Sequence, residues 1–378
     1  MTRLLIVTCA NYLIHYYMFL EAVNIMKKQL ELRTIDWLVR NTKPQRKYFE
    51  SFMDFITTNY RNIPSKEKIE EIVKAIEKEK FSFVFSYILD TENFSAVDGL
   101  ARIYAFYKIK NKSPEIYEKI KEKEVPVIFV DEIDFSEKAK EYENINQGNK
   151  NKDLVPAKLV QKFANRNKSS ADKEKALRST KIEFLCYELA KVLNTEHNYW
   201  RYKINFGNIK NNENDFETIS CIDFINSTKI FVSKLEKLEI IDIKLETGYG
   251  IEKNVEILKN IFFEIWNMMI CNFESAFIKE KGKIIQSAFG TEVISKYIML
   301  LIKQMEDENI EIDEFSLVNR IKKCIINIDE VKLYNEFAER IEWFLAWEKK
   351  GEIGCFINTD NRFARNLAAN ILIMGTEK

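Results

Sequence analysis

At 378 residues, with 46% hydrophobic and 31% charged residues, the chain is long enough for two domains and too apolar to remain disordered. Lys plus Arg and Asp plus Glu are equal at 58 each, which excludes a polycation that coats nucleic acid through net charge alone. Six cysteines without CxxC or CxH spacing, and only two histidines, give neither a zinc knuckle nor a disulfide framework, so no metal site is expected from them.

The apolar opening, Leu4 to Leu20, is interrupted by Asn11 and His15 and lacks a small-residue cleavage site, so it reads as a buried segment of a cytoplasmic protein. No run reaches the roughly 20 apolar residues of a membrane helix, and no membrane partner is expected. His15 and His197 read as structural residues, and the cysteines as small buried hydrophobes.

Pro44 breaks regular structure ahead of a helix that begins near Lys47, with Tyr48, Phe52, Phe55 and Ile56 on one face. Gln45 and Arg46, at that entrance, place an amide and a planar cation where a phosphate could be held. A second helix starts at Pro64 and Ser65 and carries the stripe Ile69, Ile72, Val73 and Ile76. Phe81 to Leu89 reads as a buried strand, and Leu100, Ile103, Tyr104 and Tyr107 open a helix. Between them lies Val97-Asp98-Gly99. Asp98 is expected to cap the helix and Gly99 to supply the turn, leaving the first-turn amides as an anion seat.

Pro126 to Val130 forms a second short apolar run, read as another buried strand. From Ser136 a helix turns Ala139 and Tyr142 inward, and the run Asn144 to Lys150 is expected to end it in an amide-rich loop containing Asn146 and Gln147. From Gln147 to Lys181, ten basic residues stand against three acidic ones, making this stretch strongly one-signed. Lys150, Lys158, Lys162 and Arg166 are its candidate DNA contacts. The polar, serine-containing stretch Asn165 to Ala176 suggests a boundary, giving an α/β domain over 1–168 and a mainly helical domain over 169–378.

In the second part, Val255, Leu258, Phe262, Ile265, Trp266 and Met269 share one helix face, and Val293, Ile294, Tyr297, Leu300 and Leu301 another. Tyr199 to Asn205 and Ile240 to Leu245 read as short strands, and a last amphipathic helix begins around Asn361 to Arg365. This helical part offers surfaces for protein partners.

Pro-Gln-Arg before a helix, Val-Asp-Gly-x-x-Arg-Ile after a strand, and an Asn-rich loop after a second strand occur here in that order. The arrangement resembles the DGQHR-domain proteins, which include phosphorothioation-associated transcriptional regulators and are related to ParB/sulfiredoxin-like proteins. The resemblance spans roughly Arg33 to Phe163. It implies a ParB/sulfiredoxin-like α/β fold in which Gln45, Arg46, Asp98, Gly99, Arg102, Asn146 and Gln147 line a nucleotide or ligand pocket. Leu100 and Ala101 stand where the family carries Gln and His, so two polar groups suited to orienting water or phosphate are missing.

The leading expectation is a DNA-associated protein of a bacterial DNA-modification, regulation or defence system, binding through the basic stretch and without strong catalysis. The alternative is an enzyme that binds and hydrolyses a nucleoside triphosphate with Mg2+, Arg102 offsetting phosphate charge and Asp98 holding a metal or water.

Overall fold

The computed structural model describes residues 28–42, 66–91, 94–130, 135–146, 153–169, 172–207, 219–244, 248–272 and 285–326, with 369 and 373. The expected opening segment, the Pro-Gln-Arg helix entrance with Gln45 and Arg46, the residues Gln147 and Lys150, and the last helix all lie outside the described residues. Contacts divide the chain into two compact units, with the division after Ile145.

The first unit contains β1 (Lys28–Thr34), α1 (Ile35–Asn41), α2 (Lys66–Glu77), β2 (Tyr87–Asp90), β3 (Ala96–Asp98), α3 (Leu100–Lys112), α4 (Pro114–Ile120), β4 (Glu124–Val130) and α5 (Phe135–Asn146). Its mixed sheet has the order β1-β4-β2-β3. β4 pairs antiparallel with β1 and parallel with β2, Tyr87 opposite Val127, and β3 runs antiparallel beside β2.

The central strands are buried on both faces, which is why they read as continuous apolar runs. Tyr87, Leu89, Val125, Val127 and Phe129 join one core with Ile35, Leu38 and residues of α2, α3 and α4. Ile88, Val97, Ile128 and Val130 form a smaller cluster of their own. Ile76 and Val73 of α2 pack into the larger core, as the stripe in that helix predicts.

Only the end of the run Phe81 to Leu89 is strand. Phe81 and Phe83 instead turn toward α3, with ring centroids 6.1 and 6.5 Å from Phe106, so aromatic packing replaces ladder pairing there. The strands β1 and β3 and the helices α1 and α4 have no counterpart in the sequence reading. The alternation Leu30-Glu31-Leu32-Arg33 gives β1 its period of two, yet its leucines are the exposed members, at 41% and 62%. On this edge strand the Arg33 guanidinium covers the Trp37 ring at 5.0 Å.

The second unit contains α6 (Val155–Ser169), α7 (Lys173–Glu196), β5 (Ile204–Asn205), β6 (Ile219–Ser220), α8 (Cys221–Lys237), α9 (Gly248–Asn272), α10 (Ala288–Asp307) and α11 (Glu314–Ile326). α7 packs against α6, α8 and α9, while α8 meets α10 and α9 meets α11. The expected boundary lay near 168, whereas the contact division falls ahead of α6. Val155, Leu159, Val160 and Phe163 are buried and α6 packs on α7, so α6 belongs with the helical body rather than with the α/β unit.

The apolar stripes fall largely as expected. Leu258, Phe262, Ile265, Trp266 and Met269 are buried, as are Val293, Ile294, Tyr297 and Leu301. Trp200 and Trp266 meet edge to face at 4.8 Å. Of the expected strands, only Ile204–Asn205 forms, paired in parallel with Ile219–Ser220. Ile240 to Lys244 is corrected to a turn, because the Asn254 side chain exchanges two hydrogen bonds with the Asp242 backbone and occupies the groups a strand would need.

His197 lies just beyond α7, only 3% exposed, with its ring edge to face on Phe263 at 4.9 Å. Its Nδ1 accepts from the Tyr199 amide at 3.3 Å, which requires the neutral imidazole at that nitrogen. Burial lowers its pKa from the ordinary 6.5 to about 4. A depressed folded pKa contributes stability that is present above 6.5 and lost as pH falls toward 4, amounting to about 3 kcal/mol at most. We expect chemical denaturation of the wild type to show this loss across that window and His197→Gln to flatten it. Parallel pH profiles for the two proteins would exclude His197 as the source.

Candidate functional site

Gly99 terminates β3 and stands immediately before α3, with φ +92° and ψ 3°. Its carbonyl accepts from the amides of Arg102 at 3.0 Å and Ile103 at 3.1 Å, closing the first helical turn. Asp98 was expected to cap that turn, but Gly99 holds the cap position and no side chain bonds to it. Asp98 is the last residue of β3, where strand pairing directs its carboxylate toward Arg102 instead.

Arg102 is held from several sides. Its Nη2 donates to the Ser86 carbonyl at 2.9 Å and lies 3.5 Å from Asp98 Oδ2. The guanidinium lies over the Tyr87 ring at 4.5 Å and the Phe85 ring at 5.4 Å. Tyr87 is fully buried beneath it, and burial raises the phenol pKa well above its ordinary value. The Asp-Gly-x-x-Arg sequence therefore builds a strand-to-helix corner in which the arginine binds its own chain.

Asn146 is corrected from a loop residue to the last residue of α5, 6% exposed. Asp98, Gly99 and Arg102 are brought together; Gln45, Arg46 and Gln147 lie outside the described residues. Among the described residues no group of three or more His, Cys, Asp or Glu is placed to hold a metal ion.

The basic stretch divides by role. Lys162 Nζ donates to Glu183 at 2.6 Å, and the Arg166 guanidinium holds the same carboxylate through two bonds of 2.8 and 2.9 Å. Glu183 is fully buried, and Lys229 approaches it at 3.6 Å. Burial alone would raise its pKa, but the hydrogen bonds from Arg166 and Lys162 outweigh that and lower it. Lys162 and Arg166 thus neutralise an internal charge. Lys158 is half-buried and also engaged.

Farther along, Lys168, Lys173 and Lys175 are exposed and have no ion-pair partner among the described residues. From Lys175 a groove of about 380 Å³ runs between α7 and α8. Arg178, Lys229, Lys234 and Lys237 supply its other cations, Ser179 and Ser233 its hydroxyls, and Ile182, Ile230 and Met299 its apolar surface. Arg178 Nε is bonded to Glu236 at 3.0 Å and Lys234 to Glu306 at 2.6 Å, whereas Lys237 is exposed.

Sequence reading missed the α8 wall of this groove. The signal was present in Lys229, Ser233 and Lys237, spaced i, i+4, i+8 on one helical face. No helix among the described residues is long and apolar enough to cross a membrane. No protein-family model, curated protein or solved structure matches the chain.

Proposed function

We propose that the chain is a DNA-associated protein of the DGQHR type, acting in a bacterial DNA-modification, regulation or defence system, and that it contacts DNA mainly through phosphates. The observation that carries this reading is the run of exposed Lys168, Lys173 and Lys175 leading into the cation-lined groove of the second unit. In a chain of zero net charge, these exposed lysines outnumber the exposed Asp172 and Glu174 beside them. The Asp98 corner favours association over catalysis, because Arg102 is already bound to Ser86, Asp98 and two aromatic rings. The ParB/sulfiredoxin-like character of the first unit belongs to the same proposal and is supported by its mixed sheet and built Asp-Gly corner.

The contacts proposed here are Lys168, Lys173 and Lys175 rather than Lys162 and Arg166, which are held on the buried Glu183 carboxylate. Three phosphate contacts give a log-log salt slope of about −3 for duplex DNA. The triple change of Lys168, Lys173 and Lys175 to Ala should remove most of that slope without altering the melting temperature, since all three are exposed. Duplex affinity and slope identical in wild type and triple variant would refute this assignment of contacts.

A further inference from the structure

The groove between α7 and α8 combines two chemistries that a duplex backbone does not use together. Its cations are arranged along both helices, Lys175 and Arg178 on α7 and Lys229, Lys234 and Lys237 on α8. Between them lies apolar surface from Ile182, buried in the wall, and from Ile230, which is 40% exposed, with Met299 contributed by α10. Phosphates and sugars of an intact duplex would satisfy the cations and leave Ile230 and Met299 without a partner, because paired bases face away from the backbone. A single strand presents phosphate and an unstacked base on the same nucleotide. The volume, about 380 Å³, lies at the lower end of the roughly 300–1,000 Å³ of small-molecule pockets, a size suited to one nucleotide unit rather than to a double helix.

We propose that this groove receives a single-stranded nucleic-acid segment, with phosphates on Lys175, Lys237 and the neighbouring cations and one base against Ile182, Ile230 and Met299. The inference rests on the DNA-association reading above and names the strand form the site accepts. Lys175 and Lys237 are the contacts available without breaking an ion pair among the described residues. Arg178 and Lys234 would first exchange Glu236 and Glu306 for phosphate, so each contributes less to binding and to its salt dependence than Lys175 or Lys237. Ser179 and Ser233 add hydroxyl donors on the same walls.

The test measures fluorescence anisotropy on the full chain with three labelled probes of equal length: a mixed-sequence single strand, its duplex, and the same single strand made abasic throughout. The single strand should bind on the order of tenfold more tightly than the duplex, and removing the bases should cost on the order of five- to tenfold. Ile230→Ser, at an exposed position, should weaken binding of the ordinary single strand but leave the abasic one unchanged. Lys175→Ala with Lys237→Ala should weaken both and flatten the single-strand slope by about 1.4.

Equal affinity for duplex and single strand, with no loss on base removal, would overturn the single-strand assignment while leaving DNA association standing. Preferential single-strand binding that neither the Ile230 nor the lysine variants alter would place the contacts elsewhere and overturn the groove. Binding of none of the three probes would overturn this inference and the DNA-association reading together.

Discussion

Replacing Glu183 by Ala should lower the stability of the helical unit by about 2–3 kcal/mol, even though the change removes a buried charge. The carboxylate is fully buried and compensated by Lys162, Arg166 and Lys229, which extend from α6 and α8 onto α7. Without it, three cations face one another and a cavity. The loss is smaller than the roughly 3–5 kcal/mol seen when a fully buried pair is broken. The reason is exposure: the cation side chains are 39%, 28% and 34% exposed and can turn toward water. Glu183→Gln keeps the volume but not the charge and should fall between wild type and Ala.

The same carboxylate sets an acid limit. Its folded pKa is lowered below 4.5, so its contribution is complete above that value and is lost as pH falls through the lower folded value. That window lies largely below the His197 window of 6.5 to about 4, so the two separate by variant. Denaturant titrations of Glu183→Ala and Arg166→Met, alone and together, should show strong coupling, the double variant being less destabilised than the sum. Additive losses would mean that Glu183 and Arg166 act independently despite their two hydrogen bonds. The coupling also shows why alanine at Lys162 or Arg166 is a poor probe of DNA contact: lost binding there would follow from lost structure.

Legibility in the sequence followed local physics. The helices α2, α3, α9 and α10 are readable because their apolar residues recur at helical spacing over about two or more turns, and α5 from Ala139 and Tyr142 ahead of an Asn-rich stop. β4 was readable because Pro126 to Val130 is apolar without interruption. β1 was not recognised, since its alternating Leu30 and Leu32 point outward and its place at the edge is fixed by pairing with β4, about 95 residues later. Phe81 to Phe85 misled for the converse reason: aromatic residues favour strands, yet here they pack on Phe106.

The candidate sites divide in the same way. Asp98, Gly99 and Arg102 are adjacent in sequence, and their meeting could be expected. The sequestering of Lys162 and Arg166 depends on Glu183, which faces them only because α6 and α7 pack side by side. A charge run records how many cations a surface has available. It does not record how many the fold has already used, and that number decides between a DNA contact and a structural ion cluster.

Gly99→Ala should be among the most destabilising single changes in the first unit, by about 2–6 kcal/mol, from two separate causes. The first is the backbone: φ of +92° is left-handed, where a non-glycine side chain is strained by roughly 1–3 kcal/mol. The second is space. An added Cβ would lie 2.7 Å from Tyr87 Cδ1 and 3.4 Å from both Tyr87 Cε1 and Arg102 Nη2. Tyr87 cannot yield easily, because it is fully buried with Phe106 at 6.2 Å and the Arg102 guanidinium at 4.5 Å. Overpacking of this kind costs about 1–3 kcal/mol. Gly99→Asn separates the two causes, since Asn tolerates positive φ better than Ala but carries the same Cβ. If space dominates, Asn and Ala should lower the melting temperature alike; if the backbone dominates, Asn should recover a clear part of the loss. Asp98→Ala is the control at the adjacent position, where a half-buried carboxylate 3.5 Å from Arg102 should contribute about 1 kcal/mol or less. A Gly99→Ala protein as stable as the Asp98→Ala control would show that the corner tolerates a side chain and that its glycine is not required by the turn.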